Sequence, residues 1–202
     1  PGLGMAIAAR HQESPRRLYG EKGELICSQP FVAMPVAMLG DDPDLYRRTY
    51  FDFFSDEEVW RHGDFVEFTE HGGVIVHGRS DAVLNPGGVR IGTAEIYGQL
   101  ESLPEIADAI AASYLIQDDT GIVLFVKLNY GYSLDNVLQL KIKKQLKENL
   151  SPRHVPRKIM QVNKIPYTRN GKKMERAVAS ALASKSGTSI DNLSAMEDAS
   201  QL

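Results

Sequence analysis

A single cysteine in 202 residues removes an intrachain disulfide from consideration. Cys27 lies between Ile26 and Ser28 in an apolar run that reads as a strand, so it is expected to be a small buried hydrophobe rather than a reactive thiol. A reducing cytoplasm is the expected setting. No apolar run approaches the roughly 20 residues that a membrane-spanning helix needs. Pro1 to Arg10 is too short and wrongly flanked for a signal peptide, so no membrane partner is expected. Lysine and arginine number 23 against 26 aspartates and glutamates, a formal net charge of −3, which lacks the basic surplus that broad nucleic-acid binding requires. The Walker spacing of glycine, lysine and serine or threonine is absent, so Gly88-Val89-Arg90-Ile91-Gly92 is not a phosphate loop of that kind. Internal repeats are absent too.

What is present is an ordinary globular composition, 43% hydrophobic and 24% charged, long enough for one large or two small domains. Pro1 is not an initiator residue and Met5 already reads as part of a strand, so the chain is expected to be a piece of something longer. The stretch to about residue 78 is β-rich. Met5–Ala9 and Glu24–Cys27 are short strands bounded by turns. Phe65–Phe68 and Val74–Val76 flank Glu70-His71-Gly72-Gly73, a hairpin signal. Leu45–Phe54, with its paired aromatics, reads as a short helix or an extended surface segment.

From Asp81 the pattern becomes mixed. Thr93 is a candidate helix N-cap, with Ile96, Leu100 and Leu103 on one face. Ile106–Leu115 and Ile122–Leu128 read as strands with Gly121 in the turn between them. Ser133 is a candidate cap for a helix in which Leu134, Leu138, Ile142, Leu146 and Leu150 recur at one helical turn. Pro152 and Pro156 end it. Lys158–Val162 reads as a third strand, Met174–Ala183 as a last helix, and the Ser- and Asp-rich remainder as a flexible tail. The fold class is α+β, with a small domain over roughly Asp81–Ala183 and a hinge near Arg79–Asp81.

Several residues carry chemistry, each with a plainer alternative. Asp64 follows a glycine and opens a strand; it is a turn residue, or a carboxylate whose two oxygens accept from the paired hydroxyls of a ribose. Arg79, after Gly78, is a surface ion-pair partner or a fixed cation beside Asp64. Asn85-Pro86-Gly87-Gly88-Val89-Arg90 is an ordinary turn or a loop against which a ligand arm can lie. Lys147, with Arg153 and Arg157 beyond it, is a solvated face or a clamp for phosphates. Lys172, after Asn170-Gly171, is a solubilising charge or a mobile catalytic cation; Lys173 is its chemical twin. His62 is by default a satisfied structural histidine.

Taken together, Trp60-Arg61-His62-Gly63-Asp64, Gly78-Arg79-Ser80-Asp81, Gly92-Thr93-Ala94-Glu95-Ile96 and Ile165-Pro166-Tyr167-Thr168-Arg169-Asn170-Gly171-Lys172 resemble the C-terminal portion of the acyl-adenylate-forming CoA ligase family. Phe31–Pro35 and Ser151–Pro156 resemble its acetoacetate-using branch, and His62 stands where the family usually has threonine. The resemblance implies residues 1–79 as the β-rich end of a larger N-terminal adenylate-forming domain, 80–184 as a small mobile C-terminal domain with a short sheet flanked by helices, and 185–202 as a tail. It implies Asp64 and Arg79 on the nucleotide ribose and Asp81 as the pivot. Gly87 and Gly88 would lie along the pantetheine arm, Arg90 near the adenylate phosphate and Lys147 on CoA, with Lys172 as the adenylation lysine. The implied substrates are small molecules: acetoacetate, ATP and coenzyme A. Contacts to Mg2+ and to the ATP phosphates are expected upstream of this chain, and no metal ligand is assigned within it. Acetate or another short acid is the alternative substrate; a non-catalytic module binding nucleotide or CoA is the alternative function.

Overall fold

The strand-forming runs of the first 81 residues close into a five-stranded antiparallel sheet. In the computed structural model, which describes residues 2, 4–40, 42–116 and 119–183, these strands are β1 (Ile7–Arg10), β2 (Arg17–Leu18), β3 (Lys22–Cys27), β4 (Trp60–Phe68) and β5 (Val74–Arg79), in the order β2-β1-β3-β4-β5. The hairpin signal is met, with Phe68 opposite Val74 and Asp64 opposite Arg79. Asp64 does not open its strand, as the sequence suggested, but stands in the middle of β4. The ambiguous aromatic segment contains α1 (Leu45–Tyr50), whose Tyr50 ring stacks on Trp60 at 3.8 Å between centroids. Cys27 is buried, as expected of a small hydrophobe. Arg10 is fully buried beneath this sheet, where Asp56 and Glu57 pair its guanidinium and the Phe54 ring covers it at 3.7 Å. A buried cation is tolerated only when partnered in this way.

The chain divides into two compact units, Pro1–Asp81 and Ala82–Leu202. The second is built on β6 (Ile106–Ile116), β7 (Asp119–Leu128) and β8 (Lys158–Gln161), with β6 antiparallel and β8 parallel to β7. The sheet buries both faces. Residues of α2 (Thr93–Leu100) and α3 (Asn136–Asn149) join Ala109, Ala111, Leu124 and Val126 in one apolar cluster. On the other face Ile110, Ala112, Val123 and Phe125 meet Ile165 and Val178 of α4 (Glu175–Ala183). Leu138, Ile142 and Leu146, four residues apart, are the buried stripe of α3. Burial of such side chains stabilises the unit by roughly 1.5–3 kcal/mol each before conformational entropy is counted.

Local caps and turns differ from the sequence reading for identifiable reasons. Gly92, not Thr93, is the N-cap of α2; its N–H donates to Glu95 Oε1 at 2.8 Å, leaving Thr93 buried inside the first turn. The cap of α3 is Asp135, whose carboxylate accepts from the Leu138 N–H at 2.8 Å, so Ser133 lies outside the helix. Gly121 is not in a turn. It pairs with Tyr114 within β7, because the two strands run on to pair Ile116 with Asp119. The expected tail, 185–202, lies outside the described residues.

Candidate active site

A bulge in β4 builds an acidic site in the first unit. The β3–β4 register jumps from Glu24–Phe65 to Ile26–Arg61, so His62, Gly63 and Asp64 form a detour opposite Leu25. Bulges of this kind re-aim side chains. Gly63 takes φ of +86°, in the left-handed region that side-chain-bearing residues disfavour. A Cβ there would come within 2.5 Å of Arg79 Nη2, so the missing side chain is what lets the guanidinium lie against this backbone.

Asp64 sits between two donors. His62 Nδ1 is 2.6 Å from Asp64 Oδ2, and Arg79 Nη1 is 3.3 Å from Asp64 Oδ1. Arg79 also donates to the His62 carbonyl at 3.3 Å and lies 3.6 Å from Asp81 Oδ1. Burial pushes the Asp64 carboxyl up, but the His62 hydrogen bond and the charges of His62 and Arg79 outweigh it, so the group stays below the usual aspartate range. The result is an ionised, half-buried acceptor with a cation beside it. Such a pair can accept from neighbouring hydroxyls through the carboxylate and donate to oxygens through the guanidinium.

Beneath this pair a buried carboxylate holds the strand ends together. Glu24 Oε1 accepts from Ser80 Oγ at 2.7 Å and from Arg61 Nε at 3.0 Å, tying β3, β4 and the residue after β5. Ser80 stands between Arg79 and Asp81, so the two groups flanking it are set on a rigid frame.

In the second unit the glycine segment forms a single 3-10 turn, Pro86–Gly88, with Gly87 at φ +57° and Gly88 at φ +80°. Leu84 and Ile91 bridge across it, closing the loop that carries Arg90. Arg153 Nη1 donates to the Gly87 carbonyl at 3.1 Å. An open cleft of about 210 Å³ is lined by Pro86, Gly87, Gly121, Arg153 and Arg157, among others. Lys147, in the last turn of α3, is exposed and is not part of that lining. The sequence grouped Lys147 with Arg153 and Arg157; the structure brings the two arginines, and not the lysine, to the glycine turn.

Lys172 projects from a tight hairpin. Thr168 N–H donates to the Lys172 carbonyl at 2.8 Å and Gly171 N–H to the Thr168 carbonyl at 2.9 Å, with Tyr167 and Lys173 as bridge partners below. The Thr168 hydroxyl accepts from the Lys172 N–H at 3.1 Å. The Lys172 side chain is exposed. Lys173 is not its equivalent: its ammonium is bound to Asp108 Oδ1 at 2.8 Å and to the Ala109 carbonyl at 2.6 Å. One lysine of the pair is an anchor, and the ammonium of the other meets no partner among the described residues. No group of three or more His, Cys, Asp or Glu side chains suited to a metal ion occurs among the described residues.

Residues 98–172 match the model of the AMP-binding enzyme C-terminal domain family. Acetoacetyl-coenzyme A synthetase of Rhizobium meliloti (strain 1021) is 51% identical over 180 residues, covering 88% of this chain and 27% of that protein. The chain matches the C-terminal part of the acetoacetyl-CoA synthetases. A relative from Caenorhabditis elegans, also an acetoacetyl-CoA synthetase, is 48% identical over 82% of this chain and 24% of its own length. The solved structure of acetoacetyl-CoA synthetase from Streptomyces lividans superposes with a TM-score of 0.78 at 40% identity, over 87% of this chain and 26% of that one. The chain thus spans about a quarter of the length of the relatives it matches. The mixed helix-and-sheet architecture anticipated from the sequence agrees with these structures.

Proposed function

We propose that this chain is the C-terminal part of an ATP-dependent acetoacetate–CoA ligase that forms acetoacetyl-CoA, AMP and pyrophosphate through an acyl-adenylate. The observation that carries this reading is the exposure of Lys172 beside an anchored Lys173, in a chain 51% identical to an acetoacetyl-CoA synthetase. In the first half-reaction the acetoacetate carboxylate attacks the α-phosphorus of ATP and pyrophosphate leaves. Lys172 holds the substrate carboxylate against the α-phosphate and offsets the charge that builds there. Asp64 accepts from the ribose hydroxyls and Arg79 donates to the ribose, which fixes the nucleotide for in-line attack. Preorganised cationic stabilisation of this kind supplies about 10²–10³ in rate.

In the second half-reaction the small domain turns about Asp81 and withdraws Lys172. The boundary between the two compact units, which falls after Asp81, supports that pivot. Gly87 and Gly88 then offer a wall without side chains to the pantetheine arm, with Arg90 toward the adenylate phosphate and Lys147 on CoA. The thiolate attacks the adenylate carbonyl and AMP leaves. Mg2+ belongs with the ATP phosphates, and no residue of this chain is assigned to it. A cytoplasmic location is consistent with this chemistry; no helix among the described residues is long and apolar enough to cross a membrane.

The test uses the full-length protein. Lys172→Ala should lower ATP–pyrophosphate exchange by about 10²–10³ while thioester formation from supplied acetoacetyl-adenylate survives. Equal loss of both half-reactions contradicts the withdrawal of Lys172.

A further inference from the structure

The outer edge of β6 decides how the Lys172 hairpin is held. In the order β6-β7-β8, β6 has a ladder partner on one side only among the described residues, which leaves alternate backbone groups facing outward. Two side chains take them up. Lys173 Nζ donates to the Ala109 carbonyl at 2.6 Å, and the Tyr97 hydroxyl oxygen accepts from the Ala111 N–H at 3.1 Å. Tyr97 in turn donates to Glu175 Oε1 at 2.7 Å, so α2, β6 and α4 meet at one phenol. The Lys173 ammonium lies 3.9 Å from the centroid of that same ring, in cation–π range.

Asp108 completes the arrangement. Its Oδ1 binds Lys173 Nζ at 2.8 Å and its Oδ2 accepts from the Tyr167 hydroxyl at 2.7 Å. Tyr167 and Lys173 are the two feet of the hairpin, so one carboxylate grips both of its strands. The grip is itself oriented: the β6–β7 register shifts between Ile106 and Asp108, and the Ala109 N–H donates to Asp108 Oδ1 at 2.8 Å. None of this is needed to satisfy Lys172, whose own side chain takes no part.

From this geometry we infer that Asp108 and Lys173 are positioning residues for Lys172, bolting its hairpin to the β6 edge so that the exposed side chain starts from one fixed backbone position. The inference rests on the adenylation role proposed for Lys172. An unanchored turn spreads the ammonium over many positions, and a misplacement of about 1 Å at a reacting centre costs on the order of 10²-fold. Anchoring the neighbouring residue removes the backbone share of that freedom and leaves only the side chain's own.

The experiment compares Asp108→Asn, Lys173→Met and the conservative Lys173→Arg in the full-length protein, with Lys172→Ala as reference. Asp108→Asn and Lys173→Met should lower ATP–pyrophosphate exchange by about 10- to 10²-fold and leave thioester formation from supplied adenylate within about twofold. Lys173→Arg should recover most of the exchange. Unchanged exchange, or equal loss in both half-reactions, overturns the positioning role. If Asp108→Asn fails to fold, Tyr167→Phe removes only the hydroxyl bond to the same carboxylate and should give a smaller loss of the same kind; wild-type exchange there overturns it. A second readout does not depend on activity. In the 202-residue chain, trypsin should cut after Lys172 about tenfold faster in Lys173→Met than in the parent, with circular dichroism unchanged. Equal cutting overturns the anchor even where Lys172→Ala abolishes exchange. Retained exchange in Lys172→Ala instead overturns the adenylation reading, while proteolysis still decides the anchor.

Discussion

Replacing Gly63 by alanine tests the close approach on which the Asp64–Arg79 pair depends. Two costs are separable. The first is backbone strain, because Gly63 has φ of +86°, and an L-residue in that region loses about 1–2 kcal/mol. The second is collision, because the new Cβ would stand 2.5 Å from Arg79 Nη2. The guanidinium is the far end of a flexible side chain and can move, so the collision is limited to the loss of the Arg79–Asp64 pair. With the Arg79 side chain 47% exposed, that pair contributes no more than about 1 kcal/mol after solvent screening. Gly63→Ala should therefore cost about 1–3 kcal/mol, up to about 1 kcal/mol of it from the lost pair. Gly72 provides the control: it has φ of +76°, and an alanine methyl there would meet nothing within 4 Å, so Gly72→Ala should cost the strain alone, about 1–2 kcal/mol. Urea unfolding followed by the fluorescence of Trp60, the single tryptophan, reads the first unit directly. In an Arg79→Ala background the excess cost of Gly63→Ala should vanish, as a double-mutant cycle requires of two groups in contact. If Gly63→Ala is no costlier than Gly72→Ala, or its cost is unchanged without Arg79, the argument for the close approach fails.

Two further predictions concern the charged clusters. Glu57 bridges Arg10 and Arg17, and their bonds, that of Arg17 first, bring its carboxyl down to about 2. Glu57→Gln leaves the fully buried Arg10 with Asp56 as its remaining carboxylate and should cost about 2–3 kcal/mol by Trp60-detected unfolding, less than a wholly buried pair because Glu57 is 26% exposed; a cost under about 0.5 kcal/mol would refute a structural role. At Asp108, burial raises the carboxyl but the Lys173 and Tyr167 bonds more than reverse it, so its folded value is depressed. Its contribution to stability is complete above about pH 4 and is lost as pH falls further. Tyr167 is pushed up to about 12 by burial and by Asp108, so its contribution is complete below about pH 10 and is lost as pH rises toward 12. Asp108→Asn should flatten the acid limb of the pH–stability curve and bring the Tyr167 titration, followed by phenolate absorbance, back toward 10; an unaltered acid limb would show that the clamp contributes nothing.

Elements and motifs were legible along the chain. The four-residue recurrence of Leu138, Ile142 and Leu146 is a property of near neighbours, and so are the Glu70–Gly73 turn and the Gly171-Lys172 signature, because helix periodicity and turn chemistry are local. The pairing of Asp64 with Arg79 was half legible, since a short hairpin forces its strands together once the turn is recognised. The rest was settled between residues far apart in sequence. The Gly171-Lys172 signature singles out Lys172 along the chain, but the anchoring of Lys173 is not legible there: it arises because β6, more than 60 positions earlier, offers it a carboxylate and an outward carbonyl. In the same way the β3–β4 register shift, a property of two paired strands, places Gly63 under Arg79. Bulges and free sheet edges exist only once strands have found their partners, and folding therefore had to shape the Asp64–Arg79 pair in one unit and the Lys172 hairpin in the other.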